Sequence, residues 1–91
     1  MTAHEDLLRD YRAAFLRYLS RHEESSLTAG YQLGRSALAA ERSLLEVVRV
    51  HHEVLVEVLR DTPGNEVPEV ARAASDFLTE VLASYDMARR S

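Results

Sequence analysis

Cysteine is absent from this chain of 91 residues, which excludes disulfides, thiolate zinc sites and cysteine nucleophiles together and removes any need for an oxidising compartment. Lysine is absent too: all 11 basic residues are arginine, 15 acidic residues are interleaved with them, and the formal net charge is -4. An acidic chain with mixed signs offers no electrostatic footprint for a phosphate backbone, so neither nucleic acid nor an anionic membrane is expected as a partner. Nowhere does the sequence approach the roughly 18 to 20 uninterrupted apolar residues of a membrane span. Its first residues, Met1-Thr2-Ala3-His4-Glu5-Asp6, are acidic and run straight into an amphipathic pattern, unlike a signal peptide. A cytoplasmic protein is expected.

The hydrophobic fraction of 46% suffices for one core, so residues 1–91 are read as a single domain. A domain this small buries a limited share of its surface, and self-association is expected from the start. Four helical segments follow from the apolar periodicity, at 3–21, 24–40, 44–60 and 67–90. The first repeats Leu7, Leu8, Tyr11, Ala14, Phe15, Tyr18 and Leu19 at three- and four-residue steps. A short connection around Ser20-Arg21-His22-Glu23 separates it from the second, and Ser25 and Ser26 read as capping residues. The second carries Gly30 and Gly34 on one face; each glycine costs about 1 kcal/mol in a helix relative to alanine, so their presence predicts a neighbouring helix passing very close.

Ser43-Leu44-Leu45-Glu46 fits a capping box, in which Ser43 and Glu46 satisfy each other's free backbone N–H groups, and starts the third helix. That helix is rich in β-branched residues, but its length and the helical spacing of Glu46, Arg49, Glu53, Glu57 and Arg60 decide against a strand. Asp61-Thr62-Pro63-Gly64-Asn65 reads as a loop, and Pro68 suits the first turn of the fourth helix. Two apolar stripes run along this last helix, one through residues 70, 74, 77, 81 and 88 and one through 71, 78, 82 and 85. A helix in a monomeric bundle needs only one, so Leu78, Leu82 and Tyr85 are expected to form a homodimer seam. No terminator follows Arg89-Arg90, and the helix is expected to lead into a further domain of a longer chain. Short connections make an all-α, antiparallel four-helix bundle the expected architecture.

Catalysis needs a constellation, and few parts for one are present. His51-His52 is the most conspicuous pair, but a zincin motif requires a second histidine four residues on, where Val56 stands. Histidine phosphotransfer modules are also four-helix bundles with an exposed mid-helix histidine, yet here His52-Glu53 leads into Val54-Leu55-Val56 instead of a polar stretch ending in proline. Spacing puts His51 on an inner face with Leu44, Val48, Leu55 and Val58, and His52 towards the surface. A buried His51 bonded to a carboxylate, with Glu80 as the candidate, is the structural expectation. Carboxylate pairs such as Glu23-Glu24 and Glu53 with Glu57 sit among arginines as solvated helix faces. No catalytic residue, cofactor or metal site is assigned.

The spacing Tyr11, Tyr18-Leu19, Glu24-x-Ser26-Leu27, Arg35, His51, Val54-Leu55, Phe77-Leu78-x-Glu80 and Tyr85-x-Met87 resembles the N-terminal domain of RsbU-type phosphatases over nearly the whole chain. That resemblance implies a homodimeric four-helix domain of the type also found at the C-terminus of the clock protein KaiA. It implies further a docking module, attached to a PP2C-type serine phosphatase, that recruits a switch kinase like RsbT in a partner-switching stress response. A docking surface in such a bundle should be exposed and poor in charge, which points to Thr28 on the second helix with Thr79 and Ala83 on the fourth. The partners implied are a second copy and a regulatory kinase-like protein. A phosphotransfer bundle and a purely structural dimerisation domain are the alternatives.

Overall fold

The computed structural model describes residues 2–21 and 24–91 (for Glu24 the backbone only), so the expected connection at His22-Glu23, and with it the Glu23-Glu24 pair, lies outside the described residues. Four helices carry the chain: α1 (Ala3–Arg21), α2 (Glu24–Ala39), α3 (Leu44–Arg60) and α4 (Val67–Arg90), with no strand among the described residues. The all-α four-helix fold is therefore as the periodicity indicated. Two details at the helix ends differ. A single 3-10 turn, Gly64–Glu66, forms where the sequence reads as loop and leads Pro68 into the first turn of α4. Ser25 and Ser26 stand inside the first turn of α2, where Ser26 is buried, so neither precedes the helix as a cap.

At the other end of α2 no glycine marks the stop, yet the chain closes a Schellman motif. Glu41 N–H donates to the Leu38 carbonyl and Arg42 N–H to the Ala37 carbonyl, both at 2.9 Å, with Glu41 in the left-handed region at φ 58. Two residues later Ser43 takes an extended conformation and its hydroxyl accepts from Glu46 N–H, which starts α3. Only that half of the capping box forms. The Glu46 carboxylate turns instead to His4 at 3.1 Å and to Arg42 at 3.5 Å.

Consecutive helices run antiparallel, but the order around the bundle is α1, α2, α4, α3. The tightest pair is α2 with α4, and it is parallel: Gly30 lies over Phe77, and Gly34, one turn on, lies over Val81, Ser84 and Tyr85. The pair α1 with α3 is parallel as well, tied by a two-pronged Arg12–Glu57 ion pair (2.9 and 2.8 Å) and by His4 between Glu46 and Glu53. The α2–α3 connection must therefore cross the end of the bundle. Tyr85 of α4 holds it there, its hydroxyl donating to the Arg42 carbonyl at 2.8 Å.

Of the two glycines, Gly34 makes the closer approach. A Cβ on it would run into Ser84 Oγ and the Val81 carbonyl and would stand 2.9 Å from Tyr85 N, so the two helices touch main chain to main chain. At Gly30 the neighbour is only the Phe77 ring edge, 3.1 Å away. Between the bundle walls the core is aromatic: Phe77 packs against Tyr11, Phe15 and Tyr18 with centroids 5.3 to 5.8 Å apart.

Gly34→Ala is expected to destabilise, since overpacking costs about 1–3 kcal/mol and outweighs the ~1 kcal/mol that alanine gains in a helix. The net cost, up to about 2 kcal/mol, should lower the melting temperature by up to roughly 15 °C for a domain this size, whereas Gly30→Ala should stay within a few degrees of the wild type. Equal melting temperatures for both variants would refute the main-chain contact. Glu41→Gly should raise the melting temperature, because a left-handed residue with a side chain costs roughly 1–2 kcal/mol; a fall would show that Glu41 is held by something stronger than the turn.

Candidate functional site

Inside the bundle one polar pair interrupts the apolar packing. His51, 9% exposed, places Nδ1 2.8 Å from the hydroxyl of Tyr11, which is fully buried, and the rings of Tyr11 and Phe15 stand edge-on to the imidazole. Burial, reinforced by the neighbouring His52, pushes the His51 pKa down and keeps the ring neutral. In the tautomer protonated at Nε2 the phenol donates to Nδ1. The expected carboxylate partner is thus corrected to a phenol: α1 presents Tyr11 to this face of α3, while Glu80 lies on the α2 side of α4. His51 has a bonding role in the core, and among the described residues no three metal-ligating side chains cluster.

The inner face of α3 is also displaced from the expected one. Val47, Val50, His51 and Val54 are buried, whereas Leu44 and Val48 are exposed at 42% and 38%, and Leu45 at 63%. Apolar residues occupy more than one face of α3, so periodicity alone did not select between them. The positions of α1 and α4 did: they bury the stripe through Val47, Val50 and Val54 and pack the expected Leu55 and Val58 partly against the core, leaving Leu44 and Val48 out. The apolar surface left over is a feature that the sequence reading missed, although the excess of apolar positions on α3 was its signal.

On α4, helical geometry separates three sets of residues. Glu80 faces α2 and shares an open groove with Ser25, Leu27, Thr28, Tyr31 and Gln32, at whose edge the Arg35 guanidinium sits 5.8 Å from the Tyr31 ring centre. Thr79 and Ala83 lie one turn apart on the outer face, both exposed, and the Thr79 hydroxyl is satisfied by the Ser75 carbonyl at 2.8 Å. The structure therefore joins Thr28 to Glu80 in one groove and leaves Thr79 and Ala83 on a separate, outward strip. Leu78 and Leu82 are half-buried on the flank away from α2, towards α3. Tyr85, expected beside them in the seam, is turned inwards at 8% exposure, because its ring reaches past the end of the core to the Arg42 carbonyl.

Residues 9–88 match the family model described as phosphoserine phosphatase RsbU, N-terminal domain. No curated protein and no solved structure matches. No helix is long and apolar enough to cross a membrane, among the described residues.

Tyr11→Phe should leave Nδ1 of His51 buried without its partner and cost about 1–3 kcal/mol in urea unfolding at pH 7.5. The depressed pKa of His51 sets a pH dependence. The unfolded chain takes up the proton first, near pH ~6.5, so this contribution to stability is complete above that pH. It is lost progressively as the pH falls from there through the folded-state value, and does not change further below it. Melting curves at pH 7.5 and 5.5 should differ accordingly in the wild type and differ less in His51→Gln; an identical pH response in the two would sink the assignment.

Proposed function

The chain belongs to the family of RsbU N-terminal domains, regulatory domains of an RsbU-type phosphatase, and on that premise we propose that it is a cytoplasmic docking and dimerisation module recruiting a regulatory kinase-like protein. The family match over residues 9–88 carries this reading. The geometry supports it in two ways. The polar residues best placed for chemistry are committed elsewhere, His51 to Tyr11 and Ser43 to the start of α3. Thr28, Thr79 and Ala83 are exposed and small, on two separate strips of the surface, which suits a partner that brings its own large anchors.

In this reading the output is a phosphatase of the PP2C type, the pathway is partner switching in a bacterial stress response that governs a sigma factor, and two copies pair beside Leu78 and Leu82, with Tyr85 bracing α4 from within. A docked partner shifts the pairing only by binding one arrangement more tightly than the other, so it must touch both protomers or the end of α4.

The test is titration calorimetry with a purified switch kinase of the RsbT type from the same organism. Thr79→Arg and Ala83→Arg should weaken binding at least tenfold with unchanged melting temperatures, and Thr28→Arg should do the same from α2. Undiminished binding in all three would remove the surface, and no binding by the wild type would remove the recruitment itself. Leu82→Glu should yield a monomer in sedimentation equilibrium.

A further inference from the structure

The uncovered face of α3 has an order that its composition alone does not show. Counting outwards from His52, valine stands four residues away on each side, at Val48 and Val56, and leucine seven residues away on each side, at Leu45 and Leu59. At 100° per residue all five lie within about 40° of His52 around the helix. His52, Leu45 and Val48 are exposed and Val56 and Leu59 half-buried, so solvent reaches every position of the stripe, most freely in its first half.

We propose that this face is where two copies of the chain meet, with the two α3 helices antiparallel about a two-fold axis at His52. The proposal rests on the reading that the chain dimerises and says where. A two-fold interface must be self-complementary, and a stripe that reads the same in both directions is: Leu45 meets Leu59 of the second copy, Val48 meets Val56, and His52 meets His52. The charges beside the stripe agree. Glu46, Arg49, Glu53 and Arg60 line one edge. Reversing the helix about His52 brings Arg49 within two residues of the second copy's Glu53, and Arg60 within two residues of its Glu46, about 3 Å of rise in each case. In a parallel two-fold pair this charged edge would face the opposite, apolar edge of the second copy, and none of these pairings would form. Leu78 and Leu82, on the α3 flank of α4, then border the contact instead of forming its centre. Stable interfaces bury about 1,200–2,000 Å² in all, and a contact built on one 17-residue helix from each copy lies at the low end. The dimer should dissociate on dilution.

Sedimentation equilibrium on the full chain tests this. Leu45→Glu alters a side chain that is 63% exposed, so its fold should be intact by circular dichroism, and the dimer dissociation constant should rise at least tenfold. His52→Leu removes the polar residue at the axis and should tighten the dimer about tenfold, a gain that misfolding cannot imitate. In a chain without cysteine, His52→Cys should also oxidise readily to a covalent dimer, while Leu45→Cys, which faces residue 59, should not. If Leu45→Glu and His52→Leu both dimerise like the wild type, the α3 seam is wrong and dimerisation stands. If the wild type and His52→Leu are both monomeric up to millimolar concentration, the seam and the dimerisation reading fall together.

Discussion

Contact between the main chains of α2 and α4 at Gly34 sets the terms for the rest of the bundle. With only the small Ser84 side chain at the contact, the Val81 carbonyl and Tyr85 N–H of α4 come up against the α2 backbone, and Ser26, Gly30 and Gly34 form a row of small residues along that side of α2. With α4 on one side and α1 on the other, α2 has no side left for α3. The third helix is displaced to the far side of the bundle, against α1 and α4, and the chain must cross from one side to the other in the few residues between Ala39 and Leu44. A left-handed Glu41 and the Tyr85 hydroxyl on the Arg42 carbonyl make that crossing.

The same arrangement decides which surfaces are free. Because α2 and α4 are pressed together, the groove between them is shallow and lined by residues at their outer edges, Thr28, Tyr31, Gln32 and Glu80. Because α3 has only α1 and α4 for neighbours, its apolar residues are in excess, and a stripe from Leu45 to Leu59 is exposed at Leu45, Val48 and His52 and only partly covered at Val56 and Leu59. One close approach thus accounts for an interior suited to packing and an exterior suited to partners. In the core the cost of the polar groups is offset locally, Tyr11 and His51 satisfying each other at 2.8 Å within an aromatic setting that favours the neutral imidazole.

The number of helices, their boundaries to within a residue or so, the Ser43 start of α3 and the close packing at Gly30 and Gly34 were all legible in the sequence. Each depends on local periodicity or on a residue type with a narrow conformational use. The partner of His51 was not legible, since Tyr11 and Glu80 sit forty and twenty-nine positions away and nothing local chooses between a phenol and a carboxylate. Tyr85 was misplaced for a similar reason: a stripe position gives the direction of the Cβ, but a long side chain at the margin of the core goes where its hydroxyl finds an acceptor.

By itself the sequence determined that this chain is helical, that it has more apolar positions than one bundle needs, and that, without cysteine, it has no thiol chemistry. Its residues also carry the resemblance that places it among regulatory domains of RsbU-type phosphatases. Only the tertiary structure decided which helices are neighbours, which apolar face of α3 is buried, and that Thr28 shares a groove with Glu80 while Thr79 and Ala83 look outwards. The reason is physical: periodicity records how many faces of a helix are apolar, whereas the choice among them is made by the helices that arrive to cover it.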